Sequence, residues 1–173
     1  MTRCAGGRGR RRWPLELGRR WARRAGLGGE ERKLIPARVT LPAGERVVIA
    51  ACGESHGACC TEQGLVYCWG DNVYGQGGHG DTDIRLVPTL IQSFPHYTTI
   101  LMVSTGRFHT AAVSAQGNLY VWGRRDHGRL GLGAGATQAC RLVPTLVDGF
   151  GQTRVQMVRR FYLISLPIIL CGS

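Results

Sequence analysis

The sequence predicts an all-β chain of stacked repeats, small antiparallel sheets of the kind that form propeller blades, and two observations carry the prediction. Val66 to Gly75 reads V-Y-C-W-G-D-N-V-Y-G and returns 53 residues later at Leu119 to Gly128 as L-Y-V-W-G-R-R-D-H-G. A closing Leu-Ile/Val-Pro recurs three times, at Leu34, Leu86 and Leu142, spaced 52 and 56 residues apart. A period near 50 residues with strand-turn-strand content is the signature of blades that bury their faces against neighbours.

The period divides the chain. Residues 1–25 form a basic, Arg-rich tail, expected to be disordered, and 26–46 the end of a partial repeat opened by Gly26-Leu27-Gly28. Residues 47–99 and 100–154 are two full repeats, and 155–173 an aborted repeat with an apolar tail. Closed propellers take about 4 to 8 blades, so 173 residues predict an incomplete ring. Such a chain is expected to be a fragment of a larger propeller, completed by another chain, or marginally stable and self-associating.

Each element has a local reason. Val47–Cys52 and Ile100–Val103 are short apolar runs with β-branched residues, expected to lie deep in the blade and covered on both faces. Ala58–Thr61 pairs with Val66–Trp69, and Ala111–Ser114 with Leu119–Trp122, through Gln63-Gly64 and Gln116-Gly117, where glycine supplies the positive φ of the turn. Tyr67 and Trp69 alternate with Val66 and Cys68, which predicts a strand covered on both faces. Pro36, Pro88 and Pro144 belong on an edge strand, where a missing N–H breaks no ladder bond. Val155-Gln156-Met157-Val158 resembles an opening strand, but Phe161 stands where the glycine of Gly-x-x-His belongs. Phe161 to Cys171 then reads as a truncated or alternatively coded end, about half the length that spans a bilayer and interrupted by Pro167.

Charge and cysteine content exclude several functions. Nine arginines against one acid in Met1–Gly26 give +8, leaving +3 of the net +11 for the repeats, so the repeats carry no phosphate-binding footprint. Contact with nucleic acid or chromatin is therefore assigned to the tail alone. Its arginines fit a nuclear signal or, without serine, less well a mitochondrial presequence, and the chain is placed inside the cell, in nucleus or cytoplasm. The seven cysteines show no C-x-x-C spacing, which removes zinc and disulfide frameworks. Cys52, Cys59, Cys60 and Cys68 align with Thr105, Ala112, Val113 and Val121 and read as small buried residues; the Cys59-Cys60 pair is the one redox candidate.

Catalytic chemistry finds no constellation. His56 and His109 recur once per repeat, which gives them a structural hydrogen-bonding role; His79, His96 and His127 are loop residues. Asp71, Asp81, Asp83 and Asp126 read as turn caps rather than metal ligands. The glycine-rich stretches after each Trp lack the order of a phosphate loop. No enzymatic activity, cofactor, metal or membrane span is expected.

Together, Gly-x-x-His, Gln-Gly, Tyr-x-Trp-Gly, the Gly-x-Leu-Gly-Leu-Gly of Gly128 to Gly133 and the closing Leu-Val-Pro resemble the repeat of the regulator of chromosome condensation family. The resemblance covers Gly26 to Phe150 and implies blades of four-stranded antiparallel sheet. Gly77 and His79 depart from it where the family prefers Leu, and Arg125 where it prefers Asn. The residues themselves read as a non-catalytic propeller-type module that presents the loops Gly70–Arg85 and Gly123–Arg141 to a protein partner. The alternative the resemblance brings is a guanine-nucleotide exchange factor for a Ran-like small GTPase associated with chromatin; no exchange-specific segment matches, so no site residue is carried over.

Overall fold

Two four-stranded antiparallel sheets follow one another along the chain, each with its strands in sequence order. The computed structural model describes residues 26–28, 38–42, 45–133, 138–148, 154–159 and 168–172; for 157–159 and 168–172 it describes backbone alone. The basic tail of residues 1–25 and the segment 160–167 lie outside the described residues. The first sheet holds β1 (Val47–Cys52), β2 (His56–Thr61), β3 (Val66–Gly70) and β4 (Arg85–Leu90). The second holds β5 (Ile100–Thr105), β6 (His109–Ser114), β7 (Leu119–Arg124) and β8 (Cys140–Leu146). Among the described residues the sheets do not close into a ring.

The hairpins form at the Gln-Gly turns, where Gly64 and Gly117 have φ of 79° and 84°. These turns also seat the next sheet: the amide of Ile100 donates to Gly64 O, and that of Val155 to Gly117 O. β2 and β3 are buried along their whole length, as the alternation of Tyr67 and Trp69 with Val66 and Cys68 requires. Ala58, Cys60, Val66 and Cys68 meet Ile100, Val103, Ala112, Tyr120 and Trp122 of the second sheet in one cluster. Phe94 from the connecting segment stands edge-on to Tyr120 and Trp122, at 5.6 and 5.8 Å between centroids. The opposite face of the second sheet, with Ala111, Val113, Leu119 and Val121, buries Val155.

One expectation fails in an instructive way. β1 is not covered on both faces, Val47 and Val48 being 43% and 51% exposed. In β5, by contrast, Ile100 and Val103 are buried against the first sheet, Met102 packs beside Val155, and only Leu101, at a register shift, stands out. In β1 only alternate residues turn toward the second sheet, whose β5 lies against that face. Ile49 and Ala51 pack on the core, while Val48, Ala50 and Cys52 point away. Cys52 is therefore exposed, against its expected burial, whereas Cys59, Cys60 and Cys68 are buried. β4 and β8 form the outer edge, and they carry Pro88 and Pro144 where no ladder bond is lost.

The partial repeats also show structure. Gly28 N donates to Leu86 O at 2.9 Å, as Gly80 N does to Leu142 O one sheet later. Gly26 lies against the indole of Trp69 and Gly78 against that of Trp122; a Cβ there would stand 2.8 and 2.7 Å from the indole nitrogens. At the other end, β9 (Arg154–Arg159) pairs antiparallel with β10 (Ile168–Gly172). Part of the apolar tail thus satisfies its backbone against the opening strand of the third repeat, a pairing that the missing Gly-x-x-His did not foretell.

Candidate protein-interaction face

The strand directions bring four connections to one end of the sheets. Residues 53–55, 71–84, 106–108 and the described parts of the last connection, 125–133 and 138–139, all lie at the end to which β1, β3, β5 and β7 run, while 62–65, 91–99 and 115–118 lie at the opposite end. The two expected binding loops, Gly70–Arg85 and Gly123–Arg141, are therefore neighbours in space. The short turns between them were missed by sequence reasoning, although a signal existed: the copies agree at Gly53/Gly106 and His56/His109 but differ at Glu54/Arg107 and Ser55/Phe108.

Buried residues beneath this end hold the sheets together, His56 and Trp122 recurring in both copies and Thr110 and Gln76 standing where the other copy has Gly57 and Arg129. His56, Gln76, Thr110 and Trp122 are all fully buried. The Thr110 hydroxyl donates to Gln76 O at 2.8 Å, and the Trp122 indole N–H donates to the same oxygen at 2.9 Å. With its proton so committed, Thr110 Oγ1 accepts from His56 Nε2–H at 2.9 Å. The histidine that recurs once per repeat thus serves the junction between sheets. Its bond crosses into the next repeat instead of staying within its own.

The first loop is built on Asn72, which is buried. Its side-chain oxygen accepts from Gly77 N at 2.7 Å, and its amide donates to Asp81 O and Oδ1 at 3.0 and 3.1 Å. Gly77, a departure from the repeat pattern, leaves the space this contact uses: a Cβ there would come within 2.9 Å of Asn72 Oδ1. Asp81 also accepts from Arg85 at 2.7 Å. Burial pushes the Asp81 carboxyl upward, but the Arg85 and Asp83 hydrogen bonds outweigh it and hold the group below the usual aspartate range. Burial and the Arg85 charge push His79 down. In the second loop Arg125 replaces Asn72 and donates to Gly133 O.

Residues peculiar to one copy meet where the loops converge. The rings of Tyr74 and Phe108 are 5.1 Å apart. Arg124 lies over both, with Cζ 4.7 Å from the Tyr74 centroid and 5.5 Å from that of Phe108. Arg107 lies over Phe108 at 4.9 Å and pairs with Glu54. Asp126 is shared by Arg124 and Arg129, at 2.5 and 2.7 Å. Aromatic rings capped by guanidinium groups give a rigid surface with both apolar area and charge, the composition that dominates protein interfaces.

The other candidates do not gather. Cys59 and Cys60 are buried; burial, and then the neighbouring Cys60, push the Cys59 thiol up to about 11, which keeps it protonated at neutral pH. His96 stands at the opposite end beside Tyr97. Among the described residues no group of three or more His, Cys, Asp and Glu could hold a metal ion, and no helix is long and apolar enough to cross a membrane.

Tandem sheets, joined by a buried histidine bond and topped by variable loops, define a blade-repeat protein. Within that class, the model of the regulator of chromosome condensation (RCC1) repeat matches residues 63–113 and 116–159, and a second model of the same description matches 47–76. The chain belongs to this family. The first of these matches begins at the Gln63-Gly64 turn and ends in β6, the second strand of the following sheet, so sequence repeat and sheet are out of phase by two strands. The chain is 42% identical over 135 residues to the ultraviolet-B receptor UVR8 of Arabidopsis thaliana, covering 78% of this chain and 30% of that one. It is 34% identical over 131 residues to the human E3 ubiquitin-protein ligase HERC2, covering 75% and 3%. Human WBSCR16 superposes with a TM-score of 0.64 at 26% identity, covering 77% and 35%. Prp20p of Saccharomyces cerevisiae superposes with a TM-score of 0.67 at 22% identity, covering 80% and 35%, which shows the fold alone. The chain thus spans about a third or less of the length of these relatives.

Proposed function

We propose that this chain is a non-catalytic protein-interaction module, part of a larger propeller, that presents the loops Gly70–Arg85 and Gly123–Arg141 to a protein partner. The observation that carries this reading is the segregation of residues. The recurring His56 and Trp122 are spent on the sheet junction, while Tyr74, Phe108, Arg107 and Arg124, which differ between the copies, gather at one end above it. An intracellular setting, nucleus or cytoplasm, goes with it.

A second reading is an exchange factor for a Ran-like small GTPase. It is favoured by the yeast relative, whose structure was described together with its binding to Gsp1p and histones. It is favoured also by 38% identity over 107 residues to the X-linked retinitis pigmentosa GTPase regulator of Canis lupus familiaris, covering 62% of this chain and 11% of that one. Chromatin or nucleic acid would then be met by the basic tail.

Site-specific photocrosslinking in cells tests the first reading. A crosslinker at Val73, 41% exposed in the first loop, should capture a defined protein that one at Leu146, on the outer edge strand, does not. Equal capture from both positions would remove the loop face from consideration. Nucleotide release from Ran-like GTPases, followed with the chain at catalytic amounts, separates the second reading. Accelerated release would replace the non-catalytic assignment.

A further inference from the structure

We infer that the Arg107–Phe108–Arg124 cluster is a docking point for an acidic segment of a protein partner. This deepens the loop-face reading and rests on it. Two cations are stationed on a single ring: Arg107 and Arg124 lie 4.9 and 5.5 Å from the Phe108 centroid. Both present guanidinium N–H donors beside an apolar ring, and carboxylates of an acidic guest would accept charge-assisted hydrogen bonds from them.

The local charge balance favours such a guest. Arg107, Arg124 and Arg129 are matched by two carboxylates, Glu54 and Asp126, and Asp126 is shared between Arg124 and Arg129. Asp71, the remaining acid nearby, is buried and turned inward to the Ser55 hydroxyl and the Val73 amide. The excess is felt even at Arg129: burial first, and Arg124 and Arg107 besides, push its pKa down against the pull of Asp126. Access remains open, since the Arg107 side chain is 62% exposed and that of Arg124 31%. The rings fix both guanidinium groups in advance, so little side-chain freedom remains to be lost on binding. A nucleic-acid strand fits less well. Its continuous phosphates would run against Glu54 and Asp126, and the arginines form a cluster instead of a track.

The test uses the full chain and a fluorescein-labelled poly-glutamate peptide, followed by anisotropy. Binding should weaken with added salt and fall about fivefold in Arg107→Gln and in Arg124→Gln, and roughly twentyfold in the double variant. Arg107→Lys, which keeps the charge, should hold most of the affinity. Arg46→Gln, at the opposite end and paired with Glu62, should bind as the parent does. Thermal melts accompany each variant; if Arg124→Gln unfolds, the more exposed Arg107 and its Lys rescue decide alone. Undiminished binding in the double variant overturns the inference and assigns the peptide to the arginine-rich first 25 residues. A single-stranded DNA that binds at least as tightly, and loses that binding in the double variant, overturns the choice of a protein guest. Capture from Val73 that persists in the double variant would leave the interaction module standing while the acidic docking point falls.

Discussion

Replacing Thr110 by valine removes one hydroxyl and almost no volume, at the point where the two sheets are joined. That hydroxyl donates to Gln76 O and accepts from His56 Nε2, and all three residues are fully buried. In Thr110→Val the Gln76 carbonyl keeps the Trp122 indole as a donor. The His56 N–H loses its acceptor in a place water does not reach. An unsatisfied buried donor costs about 1 to 3 kcal/mol, and the lost bond to Gln76 about 1 more, so roughly 2 to 4 kcal/mol is expected. Against a typical total of about 5 to 15 kcal/mol this is a large fraction. Urea denaturation followed by tryptophan fluorescence and circular dichroism measures it, with Thr110→Ser recovering most of the loss. A double-mutant cycle with Trp122→Phe isolates the shared acceptor. Removing both donors strips Gln76 O, so the pair should cost about 1 to 2 kcal/mol more than the sum of the singles. A loss in Thr110→Val within about 0.5 kcal/mol, together with additive singles, would refute the junction network.

Gly78→Ala should destabilise by about 2 kcal/mol in the same denaturation assay, because φ is 77° there and the new Cβ would stand 2.7 Å from the Trp122 indole nitrogen. Maleimide labelling of the native chain, mapped by peptide mass, should mark the exposed Cys52 and spare Cys59, Cys60 and Cys68, which become reactive only on unfolding. Asp81 titrates below the ordinary aspartate value of about 3.9. Its contribution is therefore fully present above that value and is lost as pH falls through the lowered folded one. Carboxyl NMR titration should show this, and Arg85→Gln should move the Asp81 midpoint upward.

How much of this was legible beforehand varies from residue to residue. The hairpins at Gln63-Gly64 and Gln116-Gly117, the two-faced burial of Tyr67 and Trp69, and the edge prolines follow from local chemistry repeated at a fixed spacing. Val48 and Cys52 were misjudged for a physical reason. An apolar run of strand length reads the same whether both faces are covered or one, and only the neighbouring sheets decide which. The loop face was half legible: Gly70–Arg85 and Gly123–Arg141 stand out as long connections, while Glu54, Arg107 and Phe108 hide in three-residue turns.

The sequence by itself determined the architecture. A Trp-Gly strand, a glycine turn and a proline edge each act within a few residues, and their recurrence forces the same sheet twice. Only the tertiary structure decided that His56 reaches across to Thr110, because that bond spans 54 residues and depends on how one sheet is set on the next. It alone decided that Arg107 and Arg124 share the ring of Phe108, since side chains from successive strands meet only after the hairpins have closed. Local chemistry is written in neighbours, whereas the junction and the face above it come from the stacking of whole sheets.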